Sequence, residues 1–172
     1  FEKERHGKFT WTIGLYGTQA KAEIVGLSLR QYWDQIINAC FLDRENPIEE
    51  WKNLTKLQKD IETKLNALEI ETLHIIGPDI NLEVKLGSNR AWKTGGGANI
   101  PSFEHFTSPD WRGTNGWIKF NQPLYRYGNF VDGIELEFKN GLVTKATAKK
   151  GQKILRDMIE TKDANKVGEF SL

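Results

Sequence analysis

The spacing of apolar residues changes once along this chain, from a helical period to a strand period. Leu29, Tyr32, Trp33, Ile36, Ile37 and Cys40 recur three or four positions apart, the mark of a helix with one apolar face. Ser28 stands where an N-cap belongs, and Gln31 three residues on completes a capping box. Asn46-Pro47 opens the next helix, with Asn46 as cap and Pro47 at the first helical position, where a missing N–H costs nothing. From there Ile48, Trp51, Leu54, Leu57, Ile61, Leu65 and Leu68 keep the period for about six turns, with Lys and Glu between them. One apolar stripe of that length suits a coiled coil or a helix laid on a sheet, and the strand-like segments downstream favour the sheet. Upstream, Phe9 to Gly17 alternates bulky with small or polar residues and predicts a short strand running into a turn, while Thr18 to Ala22 predicts a short helix.

Beyond residue 70 the period is two. Thr72 to Ile76 and Ile80 to Leu86 read as strands around the turn Gly77-Pro78-Asp79. Trp117 to Phe120, Val131 to Phe138 and Leu142 to Ala148 continue the series, the last two joined by Asn140-Gly141, a tight-hairpin sequence. A closing helix is expected over Gly151 to Thr161 with Ile154, Leu155, Met158 and Ile159 inward. A terminal strand follows at Glu169 to Leu172, Phe170 and Leu172 facing the core and Glu169 and Ser171 the other side. The fold class is therefore α+β: an N-terminal helical segment with a long amphipathic helix, then a strand-rich lobe with a C-terminal helix and terminal strand. Residues 1–70 read as the helix-rich end of an N-terminal α/β domain, and residues 71–172 as a strand-rich region incomplete at its C-terminus.

Composition narrows the possibilities. With 172 residues, 38% hydrophobic and 27% charged, the chain can bury a core and is far from the disordered class. Twenty-four Lys and Arg against 23 Asp and Glu leave a net charge of +1, which gives no field to draw nucleic acid or anionic lipid. The single cysteine, Cys40, cannot form an internal disulfide and fits a reducing compartment. No charged-then-apolar leader and no run of 18 apolar residues appears, so neither secretion nor membrane spanning is indicated. The start at Phe1, without an initiator Met, suggests that residues upstream are missing. There is no CxxC, HExxH, P-loop or dinucleotide fingerprint. Gly87 to Lys93 followed by Gly95-Gly96-Gly97 is not a phosphate cradle, because the lysine precedes the glycines. The aromatic and cationic run from Trp111 through Trp117, Phe120 and Tyr125 to Tyr127 suits sheet packing and a groove rim better than base stacking.

Two carboxylates stand out. Glu104 lies between the triple glycine and the Ser108-Pro109-Asp110-Trp111 turn, with Pro101 and Pro109 limiting the segment. A carboxylate in such a place is ordinarily solvated, yet stiff flanks and close-approach glycines suit holding it against an ion. His105, in an extended segment, points away from Glu104 and belongs either to the surface or behind it. Glu169 follows Gly168 near the chain's end, where an ordinary edge-strand acid is the plainer reading.

Arg90-Ala91-Trp92-Lys93-Thr94-Gly95-Gly96-Gly97, Asn99-Ile100-Pro101-Ser102-Phe103-Glu104-His105-Phe106-Thr107-Ser108-Pro109-Asp110 and Gly168-Glu169-Phe170-Ser171-Leu172 resemble the thermophilic-type metallo-aminopeptidases, the peptidase family that includes aminopeptidases T and S. The likeness extends through Trp11-Thr12-Ile13, Cys40-Phe41-Leu42-Asp43 and Ala146 to Leu155, essentially the whole chain. The resemblance implies cleavage of N-terminal residues from peptides by a pair of divalent ions, zinc or cobalt, in a cytoplasmic homodimer. It makes Glu104, in the Pro-Ser/Thr-x-Glu segment, and Glu169, in the Gly-Glu segment, metal ligands. Family members draw further ligands from a His, a Tyr and a His-x-Asp motif beyond the second glutamate, and here nothing follows Leu172. The expectation is therefore a fragment inactive by itself. The alternative is a non-catalytic binding or assembly domain on the same scaffold.

Overall fold

The computed structural model describes residues 2–95, 98–126 and 128–172. Gly96 and Gly97 of the triple glycine, Tyr127 of the aromatic run, and Phe1 lie outside the described residues. In chain order come α1 (Glu2–Arg5), β1 (Ile13–Gly14), α2 (Gln19–Ile24), α3 (Leu29–Ala39), α4 (Pro47–Ala67), β2 (Thr72–Gly77) and β3 (Ile80–Lys85). Then follow β4 (Lys93–Thr94), β5 (Asn99–Ile100), β6 (His105–Thr107), a 3-10 turn at Trp111–Gly113, and β7 (Asn115–Lys119). The last are β8 (Leu124–Arg126), β9 (Asn129–Val131), β10 (Glu135–Lys139), β11 (Leu142–Thr147), α5 (Gln152–Glu160) and β12 (Phe170–Ser171). Helices first, then strands, then a closing helix and strand make the expected α+β arrangement. The chain divides into two compact units, Phe1–Ala67 with Lys93–His105, and Leu68–Trp92 with Phe106–Leu172. Among the described residues no helix is long and apolar enough to cross a membrane.

In the first unit the helix starts are where local chemistry puts them. Ser28 Oγ accepts from the Gln31 N–H at 3.2 Å while Gln31 Oε1 accepts from the Ser28 N–H at 3.0 Å, the complete capping box. Asn46 Oδ1 accepts from the Glu49 N–H at 3.2 Å at the head of α4. The strand expected from Phe9 to Gly17 contracts to β1, which pairs in parallel with β5, Ile13 beside Asn99 and Gly14 beside Ile100. Its alternation faces no core, since Phe9, Trp11, Ile13 and Leu15 are all exposed. α4 lies against β4, and its inward face takes only part of the stripe read from the sequence, Trp51, Leu54, Ile61 and Leu65, each half-buried. Ile48 and Leu57 are 70% and 56% exposed, Leu68 falls beyond the helix end, and the buried residues of α4 are Gln58 and Glu62.

The second unit is built on a five-stranded antiparallel sheet in the order β11-β10-β7-β3-β2. Asn140 and Gly141 turn between β10 and β11 with φ of 51° and 81°, the left-handed pair that a tight hairpin needs. A Cβ on Gly141 would also stand 2.1 Å from the Trp111 carbonyl oxygen. The single strand expected over Val131 to Phe138 is two strands: β9 pairs with β8, and β10 joins the sheet. The break falls at Asp132 and Gly133, where the Asp132 carboxylate accepts the Gly133 N–H at 2.8 Å and Gly133 takes φ 63°. Val131, Ile134 and Leu155 form the core, with Leu124, Leu136, Ala146 and Ile159 packed around them. β12 pairs antiparallel with β6, Phe170 beside Thr107 and Ser171 beside Phe106. Phe170 meets the buried Trp92 edge-on at 6.2 Å, whereas Leu172 is 63% exposed, so only one of the two residues expected inward turns in.

Candidate functional site

Glu104 sits in the first unit, half-buried, on the residue immediately before β6. Its segment is tied down on both sides. The Ser102 carbonyl accepts from Gln58 Nε2 at 3.1 Å. The Phe103 ring stacks on Trp51 at 5.9 Å and meets Phe41 edge-on at 6.2 Å. His105 is buried, and its Nε2 lies 3.0 Å from the Gln58 carbonyl oxygen. A carbonyl only accepts, so this Nε2 carries the hydrogen. Its burial rules out the surface position that the sequence left open to His105. The close approach expected of the glycines is realised at Gly95, where a Cβ would stand 2.5 Å from Ser102 Oγ.

One turn further along α4 is a buried carboxylate that sequence reasoning did not single out. Glu62 Oε1 accepts from Lys59 Nζ at 2.7 Å, with Lys93 Nζ at 3.8 Å. The Lys59 hydrogen bond, helped by both lysine charges and the Thr94 backbone N–H against the cost of burial, holds the Glu62 carboxyl below its ordinary range. It is a committed ion-pair member and not an open ligand. The signal that exposes this face is arithmetic: Trp51, Leu54, Gln58, Ile61 and Leu65 step by three and four, which places Gln58 on the apolar side of the helix.

Glu169 belongs to the second unit, exposed, one residue before β12. The same unit holds a charged pair with a structural part. Asp110 takes the guanidinium of Arg112 through Nε at 2.7 Å and Nη2 at 2.8 Å, which lowers its pKa from the ordinary 3.8 to about 2 and locks the 3-10 turn. In the first unit a groove of about 830 Å³ runs beside α4, walled by Leu42, Pro47, Ile48, Trp51 and Ile100. Neither candidate glutamate lines it.

A glutamate oxygen is a suitable donor for zinc or cobalt. No hydrogen bond or ion pair engages the carboxylate of Glu104 or Glu169 among the described residues, so both retain their lone pairs. Among the described residues no three His, Cys, Asp or Glu side chains are gathered to hold an ion. Each carboxylate taken by itself suits such an ion, and either one needs further donors beside it to hold it.

Residues 1–172 match the family described as thermophilic metalloprotease (M29). Aminopeptidase T of Thermus thermophilus is 30% identical over 178 residues, taking in 94% of this chain and 44% of that protein. Aminopeptidase PepS of Streptococcus thermophilus is 29% identical over 150 residues, 81% of this chain and 36% of that one. Among solved structures, wild-type AmpT from Thermus thermophilus is similar with a TM-score of 0.76 at 29% identity, covering 84% of this chain and 37% of that chain. The chain thus spans less than half the length of the curated relatives it matches. With the family matched from the first residue to the last and the fold matched at that similarity, this chain belongs to the thermophilic metalloprotease family (M29).

Proposed function

We propose that this chain forms part of a divalent-metal-dependent aminopeptidase that removes N-terminal residues from peptides, with Glu104 and Glu169 among the ligands of two ions, zinc or cobalt. The observation that carries the reading is the family match over residues 1–172, joined by relatives that bear the name aminopeptidase. In this reading residues 1–70 close one domain and residues 71–172 carry the two ligand segments. The working protein is a cytoplasmic homodimer, with peptides rather than nucleic acid as partners.

What the metal pair supplies when bound is an activated water and a polarised scissile carbonyl. This chain's part is to present two carboxylates without competing ion pairs, each from a backbone held by strand pairing or side-chain bonds nearby. Two carboxylates leave a four-coordinate ion short of donors, so the 172 residues by themselves are inactive in this reading. The two glutamates support metal ligation better than a named proton-transfer role.

The test is hydrolysis of a leucyl-anilide with added zinc or cobalt by four proteins: these residues alone, the product of the whole reading frame, and its Glu104→Gln and Glu169→Gln variants. The whole product should be active, and each variant should lose more than about 100-fold, since even outer partners of metal ligands typically cost roughly 10–100-fold. Full activity in either variant removes that glutamate from the ligand set. Inactivity of every protein would favour the non-catalytic scaffold.

A further inference from the structure

Of the four consecutive residues Ser102 to His105, three are anchored within the first unit and one is not. Ser102 and His105 both bond to Gln58, the first through its side-chain amide and the second through its backbone carbonyl, and Phe103 stacks on Trp51. Glu104 is the unanchored one among the described residues, so the bonds of a single α4 residue bracket it. Both bracketing side chains are buried, Gln58 at 5% exposure and His105 at 7%, where a hydrogen bond is neither exchanged with water nor loosened by it.

We propose that Gln58 and His105 are positioning residues for Glu104, holding the backbone before it and the side chain after it so that its own side chain leaves the chain at one fixed place toward a metal ion. The inference rests on the reading of Glu104 as a ligand given above. A buried polar pair can also do no more than satisfy itself, and two features speak for the larger role. The anchors fall two residues before Glu104 and one after it, too close for the intervening backbone to swing. They also converge on one helix residue in the middle of α4, a rigid element, where a site held on loops alone would be loose. Pre-ordering a ligand in this way removes the cost of ordering it when the ion arrives.

The experiment uses the product of the whole reading frame, stripped of metal and titrated with zinc against a chromogenic chelator. Amide hydrogen exchange over residues 102–106 is followed in the metal-free protein. His105→Gln keeps an N–H near the position of Nε2, His105→Asn is too short to reach, and Gln58→Met keeps the shape of Gln58 without its donor. Zinc affinity should fall roughly 10–100-fold in His105→Asn and Gln58→Met and stay within about threefold of the parent in His105→Gln. Exchange at residues 102–106 should quicken in the first two and not in the third. Parental zinc affinity in His105→Asn and Gln58→Met, beside a Glu104→Gln variant that has lost it, overturns the positioning role and leaves Glu104 a ligand. Parental affinity in Glu104→Gln itself removes the ligand reading and the positioning role with it. Should His105→Asn not fold, Gln58→Met against His105→Gln gives the same decision, and equal loss in those two overturns the proposal.

Discussion

In the sheet-bearing unit β3 turns Leu82 and Val84 inward and Asn81, Glu83 and Lys85 outward, and Val131, Ile134 and Leu155 form an apolar cluster of the same unit. In the helical unit the two buried residues of α4 are Gln58 and Glu62, while Ile48 and Leu57 face outward. On β3 the protected positions are apolar side chains excluded from water, whereas α4 spends its most protected positions on hydrogen bonds and an ion pair. Apolar burial tolerates small shifts because it has no direction, whereas a hydrogen bond fails if its partners move by an ångström or so. The contrast teaches that the sheet unit is built for stability and this stretch of α4 for placement.

The largest expected effect is in the sheet unit. Leu155→Ala empties a buried position on α5 and should cost about 2–5 kcal/mol in urea unfolding followed by circular dichroism. A cost below about 1 kcal/mol would mean that the core collapses around the gap and the contrast between units is overstated.

Next comes the ion pair of the helical unit. Glu62→Gln should cost about 1 kcal/mol, less than a fully buried charged bond because Lys59 itself stands largely in water. The pH dependence sharpens this. A carboxyl with a lowered folded pKa stabilises fully above its ordinary value, 4.5 for Glu62, and that contribution disappears as pH falls through the lowered one. The parent should therefore lose stability on acidification below about 4.5 by more than Glu62→Gln does. Asp110 in the sheet unit should act in a lower window, between its ordinary 3.8 and about 2, and Asp110→Asn should flatten the curve there while leaving it unchanged above pH 5 or so.

The smallest effect belongs to Leu57→Ala. At 56% exposure, and with Ala the better helix former, the change should stay within about 0.5 kcal/mol in the same unfolding measurement. A loss of about 2 kcal/mol would show that Leu57 is buried with the rest of the stripe.

What was legible in the sequence was local. The Ser28 and Gln31 box, the Asn46-Pro47 start and the Asn140-Gly141 hairpin each resolve within a few residues, and each stands where its chemistry predicts. The closing helix was equally clear, because Leu155 and its neighbours at helical spacing do turn inward. The partners that make Gln58 a buried anchor, Ser102 and His105, lie 44 and 47 residues away, and no local pattern announces them. Gln58 is outside the apolar stripe read from the sequence, although its step of four from Leu54 places it beside apolar neighbours. Glu104 and Glu169 could be singled out through their motifs, since each motif travels with its own flanks. The Asp132-Gly133 break escaped notice because a single glycine in an apolar run signals a bend only when its φ is known.

Cys40 closes α3 just before the aromatic corner of Phe41 and Trp51, its carbonyl taking the Trp51 indole N–H at 3.0 Å. Burial pushes its thiol above the ordinary value, so little thiolate is present at neutral pH to meet a reagent. As the chain's single cysteine it doubles as a built-in reporter. The rate at which a thiol reagent labels the native protein, divided by the rate for an unfolded peptide of the same sequence, gives the fraction of time this corner stands open, with no foreign label introduced.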